Sequence, residues 1–250
     1  MMDIRRVFFR IYWKIQRIIA PTLKYSQCLY EDILTSYVNP NIKWLDLGCG
    51  HKILPAWRYQ GEKYLVGNCK MIVGIEYNIH SLKNHKNIAL KVNGTITQLP
   101  FKDNSFDLAT ANMVVEHLDN PGTQLKEIRR VLNPKGIFIF HTPNILGYST
   151  IIGRLVPNIL KNKLIHIFQG RKEEDIFDTY YKANSIRTIN RLASNTGFEV
   201  EKIKMVNSSA QFIIIPPLVL LELIWIRILM RKRNKSLRPY IIATLKKTIT

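Results

Sequence analysis

An acidic residue, two glycines and a second acidic residue define the first chemistry this chain could do. In WLDLGCG an apolar run reaches Asp46, and a tight Gly48-Cys49-Gly50 turn follows. Glycines at such a turn let a ligand come close to the backbone. Further on, VGIEYN ends in Glu76. In doubly wound sheets an acidic residue at the end of the second strand accepts hydrogen bonds from ribose hydroxyls. The combination suits a nucleoside laid across two strand ends. Each feature also has a plainer reading: many strand-to-helix turns contain Gly-X-Gly, and a strand-end carboxylate can simply be solvated. Nucleotide-binding turns often carry one more glycine, and here its place holds Lys52, with His51 before it.

The elements needed to position these residues can be read along the chain. IKWLDLG, KMIVGIEYN, NIALKVN, SFDLATANM and GIFIFHTPN are short, apolar and nearly continuous, the pattern of strands buried on both faces. PGTQLKEIRRVLNPKG reads as a helix with Leu125, Ile128, Val131 and Leu132 on one face and Asn133-Pro134 and Gly136 at its end. SIRTINRLASNTG reads as another helix, FEVEKIKMV as a sixth strand and YIIATLKKT as one more. Strands alternating with helices imply a parallel sheet with right-handed crossovers.

Residues 97–144 add a third piece: Leu99-Pro100-Phe101, Ser105-Phe106-Asp107, Glu116-His117 and Leu132-Asn133-Pro134-Lys135-Gly136. With LDLGCG and GIEYN before them, residues 42–142 resemble the class I S-adenosylmethionine-dependent methyltransferases, of the methyltransferase type 11-like family. The resemblance implies a doubly wound, Rossmann-like α/β fold: a seven-stranded, mostly parallel sheet whose last strand, 240–247, is antiparallel. It implies S-adenosylmethionine as cofactor. Asp46, Gly48, Cys49 and Gly50 would line its methionine and ribose, Glu76 would hold the ribose hydroxyls, and Tyr77 would lie against the adenine. Thr95 stands where the family usually has Asp, and Ile96 would pack on the adenine ring. Asn112 and Met113 would sit beneath the cofactor. Lys52 either points its ammonium at the cofactor carboxylate or is solvated on a loop that turns away, and KILPAW would form a wall after the first strand. Methyl transfer is an in-line displacement governed largely by positioning, and an oxygen nucleophile of high pKa also needs a base. His117 and His141, near strand ends, are candidates for that role. Asp178, Tyr180 and Tyr181 are candidates for orienting a substrate hydroxyl, with Tyr181 ranked beside the histidines, and the substrate-side lid is expected over 145–182. His166, within it, has no assigned partner. Some relatives hold a metal with E-x-x-E-H, but the first acid is Met113 here, so no metal is expected.

Charge supplies the remaining expectations. Lys and Arg outnumber Asp and Glu by 37 to 18, a formal net charge of +19, which favours anionic partners. Basic residues crowd two apolar helices, one at 3–20 and one at 217–233. The second, from Pro217 to about Met230, would be roughly 21 Å long, short of the ~30 Å hydrocarbon core. It is expected beside the first helix, forming a surface that faces an anionic membrane. The organisation read this way is a basic amphipathic segment over 1–40, a methyltransferase core over 41–210, an inserted apolar and basic helix over 211–238, and a final strand over 239–250. Cys28, Cys49 and Cys69 match no disulfide framework or metal spacing, and the N-terminus reads as no export signal. The expected location is cytoplasmic, peripheral at the inner face of the membrane. The expected acceptor is a small molecule, glycan or lipid-linked compound such as a quinone precursor. Absence of N/D-P-P-[YFW] after the fourth strand argues against nucleic acid. Two rival readings are an RNA methyltransferase and a non-catalytic, methyltransferase-like lipid-binding or scaffold protein.

Overall fold

The computed structural model describes residues 4–156, 178–213 and 215–249. Its strands are β1 (Lys43–Leu47), β2 (Met71–Glu76), β3 (Leu90–Asn93), β4 (Phe106–Asn112), β5 (Leu132–Pro143), β6 (Phe198–Val206) and β7 (Tyr240–Lys247). The described helices are α1 (Ile4–Ile19), α2 (Ser26–Tyr37), α3 (Tyr59–Gly67), α4 (Ile79–Lys83), α5 (Pro121–Val131), α6 (Tyr148–Leu155), α7 (Ile186–Thr196) and α8 (Pro216–Leu229). The strands form one seven-stranded sheet in the order β3-β2-β1-β4-β5-β7-β6, parallel but for β7. The seven-stranded, doubly wound expectation therefore holds, including the reversed last strand.

The chain divides into two compact units. One, the helical unit, comprises Met1–Ser26, Asn144–Asp178 and Met205–Tyr240; the other, the sheet unit, comprises Gln27–Pro143, Thr179–Lys204 and Ile241–Thr250. Thus α1 groups with the helical unit, whereas almost all of α2 groups with the sheet unit.

In the sheet unit, β1 and β2 are buried along nearly their whole length, as their unbroken apolar runs require. Between them lies α3, which the sequence reading does not assign. It is a nine-residue helix with a glycine inside it and little apolar periodicity. The other departure concerns Leu132–Gly136. The helix ends at Val131, not at Gly136, and Leu132 already opens β5. Leu132 pairs with Phe106, and the register then shifts to Leu108 with Ile137. Asn133-Pro134-Lys135 is the extra length in this bulge, with Lys135 at a φ of 64°; a bulge tolerates Pro134, which has no N–H for the ladder. Asn133 Nδ2 donates to Asp107 Oδ1 at 2.6 Å, and Lys43 N donates to Asp107 Oδ2 at 2.9 Å. The Asp of Ser-Phe-Asp thereby ties the start of β1 to the bulge.

In the helical unit, α1 packs on α8. Tyr12, Ala210, Val219, Leu223 and Ile226 form its buried core, with Ile15 and Ile19 against it. α8 starts at Pro216, and beyond Leu229 the expected helix gives way to a 3-10 turn over Lys232–Leu237. Arg238 caps the stop: its guanidinium donates to the carbonyls of Leu229 and Met230 at the helix end, and also to Met205 O in β6. Of the expected lid over 145–182, α6 is described; His166 and the start of the segment leading to Tyr180 lie outside the described residues.

Candidate functional site

Parallel pairing of β1 with β2 and β4, and of β4 with β5, brings the carboxyl ends of four strands to one edge. The Gly48-Cys49-Gly50 turn sits there. Cys49 N donates to Ile75 O at 3.1 Å, so the turn leaves β1 still attached to β2. Gly50 N then donates to Glu76 Oε2 at 3.1 Å, and Asn78 N to Glu76 Oε1 at 2.9 Å. The two glycines have different reasons to be glycine. Both have positive φ, 62° and 52°. A Cβ on Gly48 would lie 2.6 Å from a Val114 methyl, whereas one on Gly50 would meet nothing within 4 Å. Gly50 thus borders open space, beside a carboxylate that has used two of about four acceptor positions. A ribose offers hydroxyl donors of the kind that remaining capacity would take. Cys49 is buried, its sulfur lying over Gly74, where an added Cβ would come within 2.7 Å of it, and burial raises its thiol pKa.

Beneath the turn lies a buried polar floor. Trp44 Nε1 donates to Thr110 Oγ1 at 2.6 Å, and the Thr110 hydroxyl donates to Asp46 Oδ1. Burial pushes the Asp46 carboxyl up to about 8, with Glu62 and Glu76 adding like charge and Thr110 opposing. Beside it, Asn112 Nδ2 donates to Ile53 O at 2.7 Å and to Gln27 Oε1 at 3.0 Å. With its proton on Nδ1, His141 donates to Asn112 Oδ1 at 2.9 Å. Asn112 therefore clamps the loop that follows the glycine turn, and Leu54 N, bonded to buried Glu62 at 2.8 Å, fixes the loop's far side. Lys52 is exposed on this loop. Met113 takes a φ of 59°, an uncommon conformation for a side chain of its size, and its N–H bonds His141 O at 2.8 Å.

The adenine-side candidates cluster around the tip of β2. Tyr77 is exposed. Asn93 Nδ2 donates to the carbonyls of Glu76 and Tyr77 at 2.9 and 2.8 Å, and Gly94 N to Glu76 O at 3.2 Å. Exposed Thr95 and half-buried Ile96 follow directly, so the loops after β2 and β3 are stitched together next to Glu76.

The catalytic candidates separate by depth. His141 is wholly buried, and burial holds its ring down to about 3; it lies under the edge, behind Asn112. His117 is half-buried at the end of a 3-10 turn, Val115–His117, that follows β4. Its neighbour Glu116 is buried and accepts the Thr142 hydroxyl at 2.9 Å. The Glu116 carbonyl accepts the N–H groups of Tyr180 and Tyr181, at 2.8 and 3.2 Å. Asn184 Nδ2 adds bonds to Thr142 Oγ1 and Pro143 O. The returning segment is thereby pinned to the ends of β4 and β5, and Tyr181, half-buried at a φ of 53°, arrives at the edge that carries His117. Asp178 and Tyr180 are exposed. Among the described residues no cluster of His, Cys, Asp or Glu could hold a metal.

Sequence reasoning missed Gln27, and it named Glu116 within a motif without the contacts that make it an anchor. Gln27 reaches Asn112 across 85 residues of chain, and no spacing rule announces that. The EH dipeptide does carry a signal: Glu116, not His117, is the member in the core.

Residues 45–140 match the family model described as a methyltransferase domain. A demethylmenaquinone methyltransferase of Corynebacterium kroppenstedtii is 35% identical over 100 residues, 36% of this chain and 43% of that protein. A 2-phytyl-1,4-naphtoquinone methyltransferase of Trichormus variabilis is 32% identical over 123 residues, 44% of this chain and 52% of that protein. The chain spans about half the length of these curated relatives. An S-adenosylmethionine-dependent methyltransferase from Mesorhizobium loti shares the fold, with a TM-score of 0.54 at 15% identity over 86% of this chain and 96% of that one.

Proposed function

We propose that the chain, whose residues 45–140 match the methyltransferase-domain model, is a class I S-adenosylmethionine-dependent methyltransferase, and that it methylates an amphipathic small molecule of quinone-like or lipid-linked character. The observation that carries the reading is the pairing of Gly50 with Glu76: open space beside a backbone-anchored carboxylate that retains acceptor capacity. The residues present fit the cofactor that the fold and family imply. Glu76 would hold the ribose hydroxyls. The turn from Gly48 to Gly50 would lie against the methionine end, and Tyr77 and Ile96 would flank the adenine.

When bound, S-adenosylmethionine supplies an electrophilic methyl group. The protein's part is mainly to hold the reactants in line. Asn112, fixed by Gln27 and His141, holds the loop after the turn. Neutral His141 acts through Asn112 and is a positioning residue. His117 and Tyr181, on the strand-end edge, are the groups available to orient an acceptor hydroxyl or take its proton. A small-molecule acceptor is supported by the quinone methyltransferases among the relatives.

The test is to incubate the protein with methyl-labelled S-adenosylmethionine and, separately, lipid, glycan and RNA fractions. Label in an extractable lipid or quinone is expected. Label confined to RNA would replace this reading with the nucleic-acid one, and none in any fraction, with cofactor bound, would favour a non-catalytic role.

A further inference from the structure

We propose that the helical unit docks on an anionic lipid bilayer through the outer face of α8 and the basic side chains that accompany it. This goes beyond the methyl-transfer reading and stands without it.

The observation is a helix that is apolar on two sides. The inner side of α8, Val219, Leu223 and Ile226, is buried in the core shared with Tyr12 of α1. The opposite side carries Leu218, Leu221, Ile224 and Trp225, all exposed, Leu221 by 64%. These four recur at three- and four-residue spacing and so share a stripe. In water that stripe of a surface helix is normally polar. Glu222, the acidic residue within the run, does not change this, because it is buried: Gln211 N, Phe212 N and the Tyr148 hydroxyl all donate to its carboxylate at 2.6–2.9 Å.

Length and charge select the occupant. No helix among the described residues is long and apolar enough to cross a membrane, so α8 would lie in the interface plane. Exposed Arg227, Arg231, Lys232, Arg233 and Lys235 follow the stripe, and α1 exposes Arg10, Lys14 and Arg17. The described acids of this unit are Asp178 and buried Glu222. An anionic bilayer offers hydrocarbon for the stripe and negative headgroups for the basic side chains, with an interface suited to Trp225. Nucleic acid would match the charge but give the stripe no apolar contact. A second copy would cover the stripe but bring like charge against like.

The experiment is flotation of the full chain with vesicles of phosphatidylcholine alone or with about a third phosphatidylglycerol, alongside sedimentation and binding to a short RNA. The expected result is binding to the anionic vesicles, weaker binding to the neutral ones, and loss as salt rises from about 0.1 to 1 M, where screening becomes complete within a few ångströms. Leu221→Asp should weaken vesicle binding about tenfold or more, because it places a charge on the inserted face. A Lys232→Glu, Lys235→Glu double variant should weaken it chiefly at low salt. Both sites are exposed, and unchanged melting temperatures show that the variants fold. No vesicle binding at low salt, or binding unaffected by Leu221→Asp, overturns the proposal. So does a wild-type dimer that Leu221→Asp makes monomeric, or RNA binding that outcompetes the anionic vesicles.

Discussion

Glu76 and Glu222 are both buried glutamates, and both accept backbone N–H groups, yet they serve opposite ends. Glu222 has two contacts on each oxygen from three donors: the Tyr148 hydroxyl on one, Phe212 N–H on the other, and Gln211 N–H shared between them. Glu76 accepts one N–H on each oxygen and sits where Gly50 leaves open space. A carboxylate with about four acceptor positions acts as a structural anchor when all are filled and keeps capacity for a ligand when some are not. Burial alone does not tell these apart; the partner list does.

The contrast can be broken most forcefully at Glu222. Replacing it with Ala leaves two backbone N–H groups and a tyrosine hydroxyl in a buried site without their acceptor. At about 1–3 kcal/mol for each unsatisfied group, the expected loss is roughly 3–5 kcal/mol, read by chemical denaturation. A loss under about 1 kcal/mol would show that Glu222 anchors little. The glycine pair sharpens the other half. Gly48→Ala drives a methyl into Val114 at a positive φ and should cost about 2–4 kcal/mol by overpacking and left-handed strain together. Gly50→Ala meets only the strain, about 1–2 kcal/mol, and should fold while binding S-adenosylmethionine more weakly. Equal losses in the two variants would remove the distinction between a packed glycine and a ligand-facing one.

Taken per pH unit, the smallest effect is a pH slope. Burial holds His141 down to about 3, below its ordinary 6.5. Between those values the unfolded chain binds a proton that the folded chain does not, so stability is full above pH 6.5 and falls as pH drops through the window, by at most about 1.4 kcal/mol per pH unit. His141→Gln should flatten that part of the stability curve in denaturant melts at stepped pH. An unchanged slope would mean that the ring is not kept neutral by burial.

The sheet was legible because its strands are buried on both faces and read as apolar runs, and because Gly48, Gly50 and Glu76 stand at strand ends, where ligands bind in such folds. The family pattern was legible too, although several of its residues position the edge from a distance. Arg130 holds the carbonyls of Leu99 and Phe101, and Asp107 ties β1 to the bulge. Less readable were features that depend on contacts far apart in sequence. Gln27 supports Asn112 from α2, Glu116 receives the segment returning at Tyr180, and Glu222 is held off the exposed face of α8 by the Tyr148 hydroxyl and the N–H groups of Gln211 and Phe212. The end of α5 was misplaced because Asn-Pro-Lys-Gly punctuates a helix and a bulged strand equally well.

The most direct test of the account is calorimetric titration of S-adenosylmethionine into the wild-type chain and into Glu76→Ala. The account predicts saturable one-to-one binding to wild type. In the variant it should be at least about tenfold weaker, the equivalent of 1.4 kcal/mol, with the fold retained by circular dichroism. Absence of binding to wild type, or equal affinity in the folded variant, would contradict it.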